Sequence, residues 1–412
     1  MQHHLSPNLT AQLATCEERL VVTRSRKSLT IGLPSENPKE ETRISLTPQG
    51  VEVLTAKGHN VMVQRGAGLE ARFSDESYAA AGATIVDNVQ QIWSADLVVR
   101  VSPPTVAEAQ MLKKGQTVMC MIGRHKRERE VYTTLAEKQV TLLASDYVGT
   151  KASEHQTDAG GGEPALVSAL GEIEGMMAMT TAANMLQHDN GGKGIIIGGI
   201  TGVPPTEVII IGSGTAAQGA TRAAMALGCN VKVFDTDLTN LQRLTANLPQ
   251  HVFTSVLHPQ ALTKALRSAD AIVGTRHHNA YDAYCIPSDY LELLKKGAVI
   301  VDMDNDPYRP NDGRTEWTHV TSLSQPTYVY NSLHFHCLPD ITATVPHTAS
   351  IVMSDLLTPL IASVADEGGM AQAARFRPAV RQGIALWQGT TTNHKLAKMT
   401  RTEYYDIRLL LI

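Results

Sequence analysis

The sequence predicts an α/β protein of two domains, each built on a largely parallel sheet. Three observations carry this. The chain has 412 residues, enough for two full hydrophobic cores. Short apolar strands alternate with helical stretches of roughly 10–15 residues in both halves, the pattern of βαβ units. One of these units, Val208 to Asp235, reads as a buried strand, a glycine-rich turn, a helix and a second strand. That is how a doubly wound sheet begins.

The elements follow in order. Residues 1–28 are a polar extension that carries no readable chemistry. Strands are expected at 28–34, 60–64, 95–101, 116–122 and 140–144, where apolar residues cluster. Between the first two lies a helix with Thr47 as its N-cap, Pro48 at its first position and Gly58 just past its end. Gly160-Gly-Gly-Glu-Pro closes this region as a loop, and 164–187 reads as a long helix rich in Ala and Met that bridges two domains. The second strand series is expected at 208–211, 230–234, 269–273 and 298–301. Helical segments in the tail, including 348–364, return to pack on the first domain.

Composition excludes several function classes. Apolar residues make up 43% of the chain and charged ones 18%, ordinary for a globular protein. A net charge of -4 gives no reason to expect nucleic acid or an anionic membrane as a partner. Five scattered cysteines without a CxxC pair point to reduced thiols and a cytoplasmic location, and no apolar run reaches the roughly 20 residues of a membrane helix.

The turn Gly212-Ser-Gly-Thr-Ala-Ala-Gln-Gly fits GxGxxA. Gly212 permits the tight bend, Gly214 lets the backbone approach a pyrophosphate, and the small Ala217 lets helix and strand pack closely. The helix N-terminus offers free N–H groups to phosphate oxygens. Ser213, Thr215 and Gly219 complete the set of cofactor-binding candidates. Asp235 ends the next strand, 23 residues after Gly212. A carboxylate there accepts hydrogen bonds from a ribose 2′-hydroxyl and repels a 2′-phosphate, which selects NAD over NADP. The expected cofactor is NAD, in a Rossmann domain.

Further stretches accompany this turn: Glu40-Glu-Thr-Arg-Ile-Ser-Leu-Thr-Pro, Gly58-His-Asn-Val-Met-Val-Gln-Arg-Gly-Ala-Gly, Phe73-Ser-Asp-Glu-Ser-Tyr, Gly194-Ile-Ile-Ile-Gly-Gly-Ile-Thr-Gly-Val and Lys296-Gly-Ala-Val-Ile-Val-Asp. With them the chain resembles the alanine dehydrogenase and transhydrogenase alpha-subunit family from about Leu29 to its C-terminus. The resemblance implies a discontinuous α/β substrate domain, 29–165 with 335–412, around a central NAD-binding domain, 166–334. It also implies reversible oxidative deamination of L-alanine to pyruvate and ammonia, a small-molecule substrate with a carboxylate, and a homo-oligomer, dimer or hexamer.

The resemblance carries over to the site residues unevenly. Arg43 matches the arginine that holds the substrate carboxylate, a role its planar fork suits; the alternative is a surface salt bridge with Glu40 or Glu41. Asp306 matches an aspartate near nicotinamide and substrate. The family's substrate-binding lysine aligns with Ser102 and its acid/base histidine with Gly123, and neither replacement does the original work. Arg100 is a candidate cation near the pocket, and His125 a candidate substitute acid/base. Asp340 and Ile341 stand where an Asn-Met pair touches nicotinamide. His277, His278, His334 and His336 lack further ligands at metal-site spacing, so no metal is expected. The expected function is thus an NAD-dependent, alanine-dehydrogenase-like oxidoreductase acting on CH–NH2 donors with an altered catalytic set. The alternatives are another amino acid, oxo acid or imine substrate, or a transhydrogenase-like protein that binds NAD(H) without deaminating.

Overall fold

Six short strands form in the first third of the chain: β1 (Thr30–Leu33), β2 (Asn60–Gln64), β3 (Thr84–Val86), β4 (Leu97–Val99), β5 (Thr117–Cys120) and β6 (Thr141–Ala144). In this computed structural model, which describes residues 28–123, 128–149, 163–275, 288–303 and 319–411, they pair in parallel in the order β3-β2-β1-β4-β5-β6. β4, β5 and β6 are buried along their whole length, which is why they read as continuous apolar runs. The strand order reverses between β1 and β4. At such a switch point the following loops diverge and leave a crevice at the carboxyl ends of the strands. Residues 34–47 and 100–105, the loops that carry Arg43 and Ser102, border that crevice.

The helix Pro48–Ala56 begins where the sequence places it. Thr47 Oγ1 accepts a hydrogen bond from Gly50 N–H at 3.4 Å, and Pro48 occupies the first position.

The second sheet uses β7 (Glu207–Ile211), β8 (Asn230–Asp235), β9 (Phe253–Val256), β10 (Ala271–Gly274), β11 (Val299–Asp302), β12 (Tyr328–Tyr330) and β13 (Leu333–His336). Its order is β12-β13-β11-β10-β7-β8-β9, parallel except for the edge strand β12. It again reverses at its first strand, between β7 and β10. Two further strands, β14 (Ile384–Trp387) and β15 (Thr390–Thr391), return to the first sheet, with β14 antiparallel to β6. β13 runs to His336, so a boundary at 335 cuts a strand of the second sheet.

Two long helices connect these parts. Ala165–Met185 places Leu166 and Leu170 in the core of the first sheet and Ala178, Met179, Ala182 and Met185 in that of the second. Pro346–Asp366 is long and apolar enough to cross a membrane by composition alone. It buries Ala349, Met353, Leu357 and Ile361 among Leu33, Leu46, Val51 and Leu54, as a core helix does. Cys120, Cys229 and Cys337 are free thiols.

Candidate active site

β7 buries Val208, Ile209 and Ile210 completely and delivers the glycine turn to the edge of the second sheet. Gly212 has φ +110°, and its N–H donates to the Phe234 carbonyl at 2.7 Å. A Cβ there would overlap Thr275 Oγ1, so only glycine fits. The helix Thr215–Ala226 starts from Gly214, and no side chain caps its first turn. Its N–H groups suit a phosphate. Thr215 Oγ1 donates to Glu163 and lies 3.3 Å from Ser168 Oγ. Ala217 packs in the core, and Gly219 faces the helix Ala165–Met185, where a Cβ would come within 2.8 Å of the Glu172 carbonyl. Gly219 therefore serves helix packing and does not line the turn's open face. Asp235 ends β8, buried; it accepts from Ser213 Oγ and, at 2.9 Å, from Asp237 N–H. The bend, the uncapped helix and the carboxylate together fit a dinucleotide.

On the first sheet, Arg43 lies in the loop after β1 and is fully buried. Its Nε and Nη2 donate to Glu41 at 2.7 and 2.6 Å. Its Nη1 and Nη2 donate to Asp340 at 3.0 and 2.6 Å, and Nη1 also reaches Thr342 Oγ1 at 2.6 Å. A guanidinium has five N–H donors, and these contacts use all of them. Burial works against the charge, but Asp340 and then Glu41 outweigh it and raise the Arg43 pKa above its ordinary value. The pair with Glu41 forms, in the interior and not at the surface. Asp340 meets Arg43 directly, a contact its expected place beside nicotinamide did not suggest.

Arg100 is likewise committed. It donates to Glu36 and Glu108 at 2.7 Å each and lies over the Trp93 ring at 5.7 Å. It is a buried structural cation whose charge is spent on two carboxylates, not an open cation at the pocket. Glu36 also accepts from Val101 N–H at 2.6 Å, close to Ser102. A cleft of about 220 Å³ lies beside these loops, lined by Glu36, Glu41, Arg43, Leu69 and Glu70 among others. Beyond β5, Asp146 accepts from Ile122 N–H at 3.0 Å and Gly123 N–H at 2.6 Å. A Cβ at Gly123 would lie 2.5 Å from Asp146 Oδ2. Glu36 and Asp146 were not anticipated from the sequence. The signal for both is an acid just past the carboxyl end of an apolar strand.

Two family models match, the alanine dehydrogenase/PNT N-terminal domain over residues 32–159 and the C-terminal domain over 178–394. The chain belongs to the alanine dehydrogenase/PNT family. It is 31% identical over 369 residues to the alanine dehydrogenase of Mycobacterium tuberculosis, covering 89% of this chain and 95% of the relative. It is 29% identical over 376 residues to that of Bacillus subtilis, covering 91% and 95%. Among solved structures, an L-alanine dehydrogenase matches with a TM-score of 0.80 at 26% identity, covering 90% of this chain and 99% of that one. The transhydrogenase of Sinorhizobium meliloti shares the fold, with a TM-score of 0.69 at 18% identity and coverage of 89% and 99%. Proteins of the alanine dehydrogenase/PNT family bind NAD(H), and this chain is an NAD-dependent oxidoreductase similar to the amino-acid dehydrogenases.

Within that family frame, Asp306, His125, His277 and His278 lie outside the described residues. Among the described residues no group of three His, Cys, Asp or Glu side chains forms a metal site. His336 is buried with Nδ1 unpartnered, and burial lowers its pKa to about 4.

Proposed function

We propose that this chain uses NAD(H) on a carbon–nitrogen bond, reducing an imine or iminium to an amine or running the reverse, with L-alanine a poor substrate. One observation carries the choice: all five Arg43 donors are held by protein while the cofactor turn is intact. In this reading the second sheet carries the cofactor and the first, with its tail strands, the substrate. Asp235 holds ribose hydroxyls, and the N-terminus of Thr215–Ala226 faces the pyrophosphate.

NAD supplies the hydride acceptor or donor when bound. Deaminating alanine also requires proton removal from nitrogen and addition of water to the imine carbon. Ser102 and Gly123 cannot manage those protons. An imine that has taken a proton from solvent to become an iminium makes no such demand: its carbon takes up a hydride, the C=N π pair returns to nitrogen, and the product is a neutral amine. A second reading, L-alanine deamination in a cytoplasmic enzyme, is favoured by the 31% identity to an alanine dehydrogenase. NADH oxidation separates the two. We expect a cyclic imine to be reduced at least tenfold faster than pyruvate plus ammonia. Equal or faster turnover of pyruvate and ammonia overturns the first reading.

A further inference from the structure

Asp340 offers Arg43 the contact that a substrate carboxylate would offer. Oδ1 and Oδ2 take Nη1 and Nη2 at 3.0 and 2.6 Å, one oxygen per nitrogen. This is the fork-to-fork pairing by which arginine binds free carboxylates. The other edge of the guanidinium belongs to Glu41, whose side chain is 1% exposed, whereas that of Asp340 is 12% exposed. Asp340 is therefore the more exposed of the two carboxylates.

Its position is built, not incidental. Thr342 Oγ1 donates to Asp340 Oδ1 at 2.6 Å while accepting from Arg43 Nη1. The 3-10 turn Ile341–Thr344 starts from Asp340, whose carbonyl accepts Ala343 N–H at 3.1 Å. Thr42 Oγ1 donates to the Ala343 carbonyl, tying this turn to the Arg43 loop. With Asp340 on one edge and Glu41 on the other, the guanidinium has no N–H left for a further anion.

We propose that Asp340 sets the charge of the substrate, acting as a built-in carboxylate that closes Arg43 to 2-oxo and amino acids and leaves the site to neutral or cationic imines and amines. This rests on the reading that the Arg43 loop borders the substrate.

The test is calorimetric titration of oxamate, a small carboxylate, into the full chain without cofactor. Wild type is expected to give no saturable heat. Asp340→Ala vacates two donors and removes one charge, and it should bind oxamate at least tenfold more tightly than wild type. Asp340→Asn keeps the side-chain shape and covers the case in which Asp340→Ala fails to fold; it should show a smaller gain. Adding Arg43→Lys to whichever Asp340 variant gains affinity should remove the gain. Wild type binding oxamate as well as the variants, no gain in either folded variant, or a gain that survives Arg43→Lys overturns the proposal. Because no cofactor is present, failure of NADH to bind in a parallel titration counts against the proposed function and not against Asp340.

Discussion

Ser213 Oγ donates to the Asp235 carboxylate, joining the second residue of the glycine turn to the last residue of β8. The carboxylate is thus fixed beside the bend at Gly212, and the proposed function makes it the ribose-binding group. Asp235→Ala should weaken NADH roughly tenfold, the worth of one or two charge-assisted hydrogen bonds, and narrow or reverse the preference over NADPH. Ser213→Ala leaves the carboxylate and should change NADH affinity by less than about threefold. Fluorescence titration with both nucleotides checks this. An unchanged NADH-to-NADPH ratio in Asp235→Ala removes Asp235 from cofactor selection.

The cofactor half of the protein was legible because its chemistry is local. Strand, turn, helix and Asp235 lie within one βαβ unit, and each residue type has a conformational reason to be there. The substrate half was not legible in the same way. Arg43 and Asp340 stand 297 residues apart, and only the folded chain shows that one neutralises the other. Arg100 reads as an available cation until Glu36 and Glu108 are seen around it. Strand existence followed apolar runs well, as at Asn60–Gln64. The short β3, β9 and β12 had no such run, because edge pairing by three or four residues needs little apolar sequence.

Gly175 and Gly219 let the helices Ala165–Met185 and Thr215–Ala226 cross at close range. A Cβ on Gly175 would overlap Ala216 O and Ala220 N, which are backbone atoms with little room to move. Helix propensity alone predicts that Gly175→Ala gains about 1 kcal/mol. We expect instead a loss of roughly 2–3 kcal/mol from overpacking. Gly171→Ala meets Ala216 N at 3.3 Å and should be close to neutral. Urea denaturation of both variants decides it; a more stable Gly175→Ala contradicts the close crossing.

His336, at the end of β13, should make stability depend on pH. Burial lowers its pKa from 6.5 to about 4. Above pH 6.5 folded and unfolded chains both carry neutral imidazole there, and its contribution to stability is fully present. As pH falls from 6.5 towards 4 the unfolded chain takes up a proton that the folded chain refuses, so stability drops, by at most roughly 3 kcal/mol. His336→Phe should flatten that part of a stability–pH curve measured by denaturant titration. A curve of wild-type slope in the variant assigns the loss to other groups.

The sequence resemblance sets Gly123 against the family's acid/base histidine, and on that expectation reinstating the side chain should fail for a geometric reason. Asp146 already occupies the space, with Oδ2 2.5 Å from where a Cβ would sit, held there by the Ile122 and Gly123 N–H groups. Gly123→His must displace that carboxylate and unmake both hydrogen bonds, costing about 1–3 kcal/mol. It should leave turnover of pyruvate and ammonia at background, since the imidazole cannot take a productive position. Asp146→Ala removes the obstruction, so Gly123→His combined with it should be less destabilised than the sum of the single changes, by about 1 kcal/mol of coupling. Thermal or urea unfolding of the three variants measures this. Gly123→His alone matching wild-type stability, or gaining alanine dehydrogenase turnover alone, shows that Asp146 is not what keeps a histidine out.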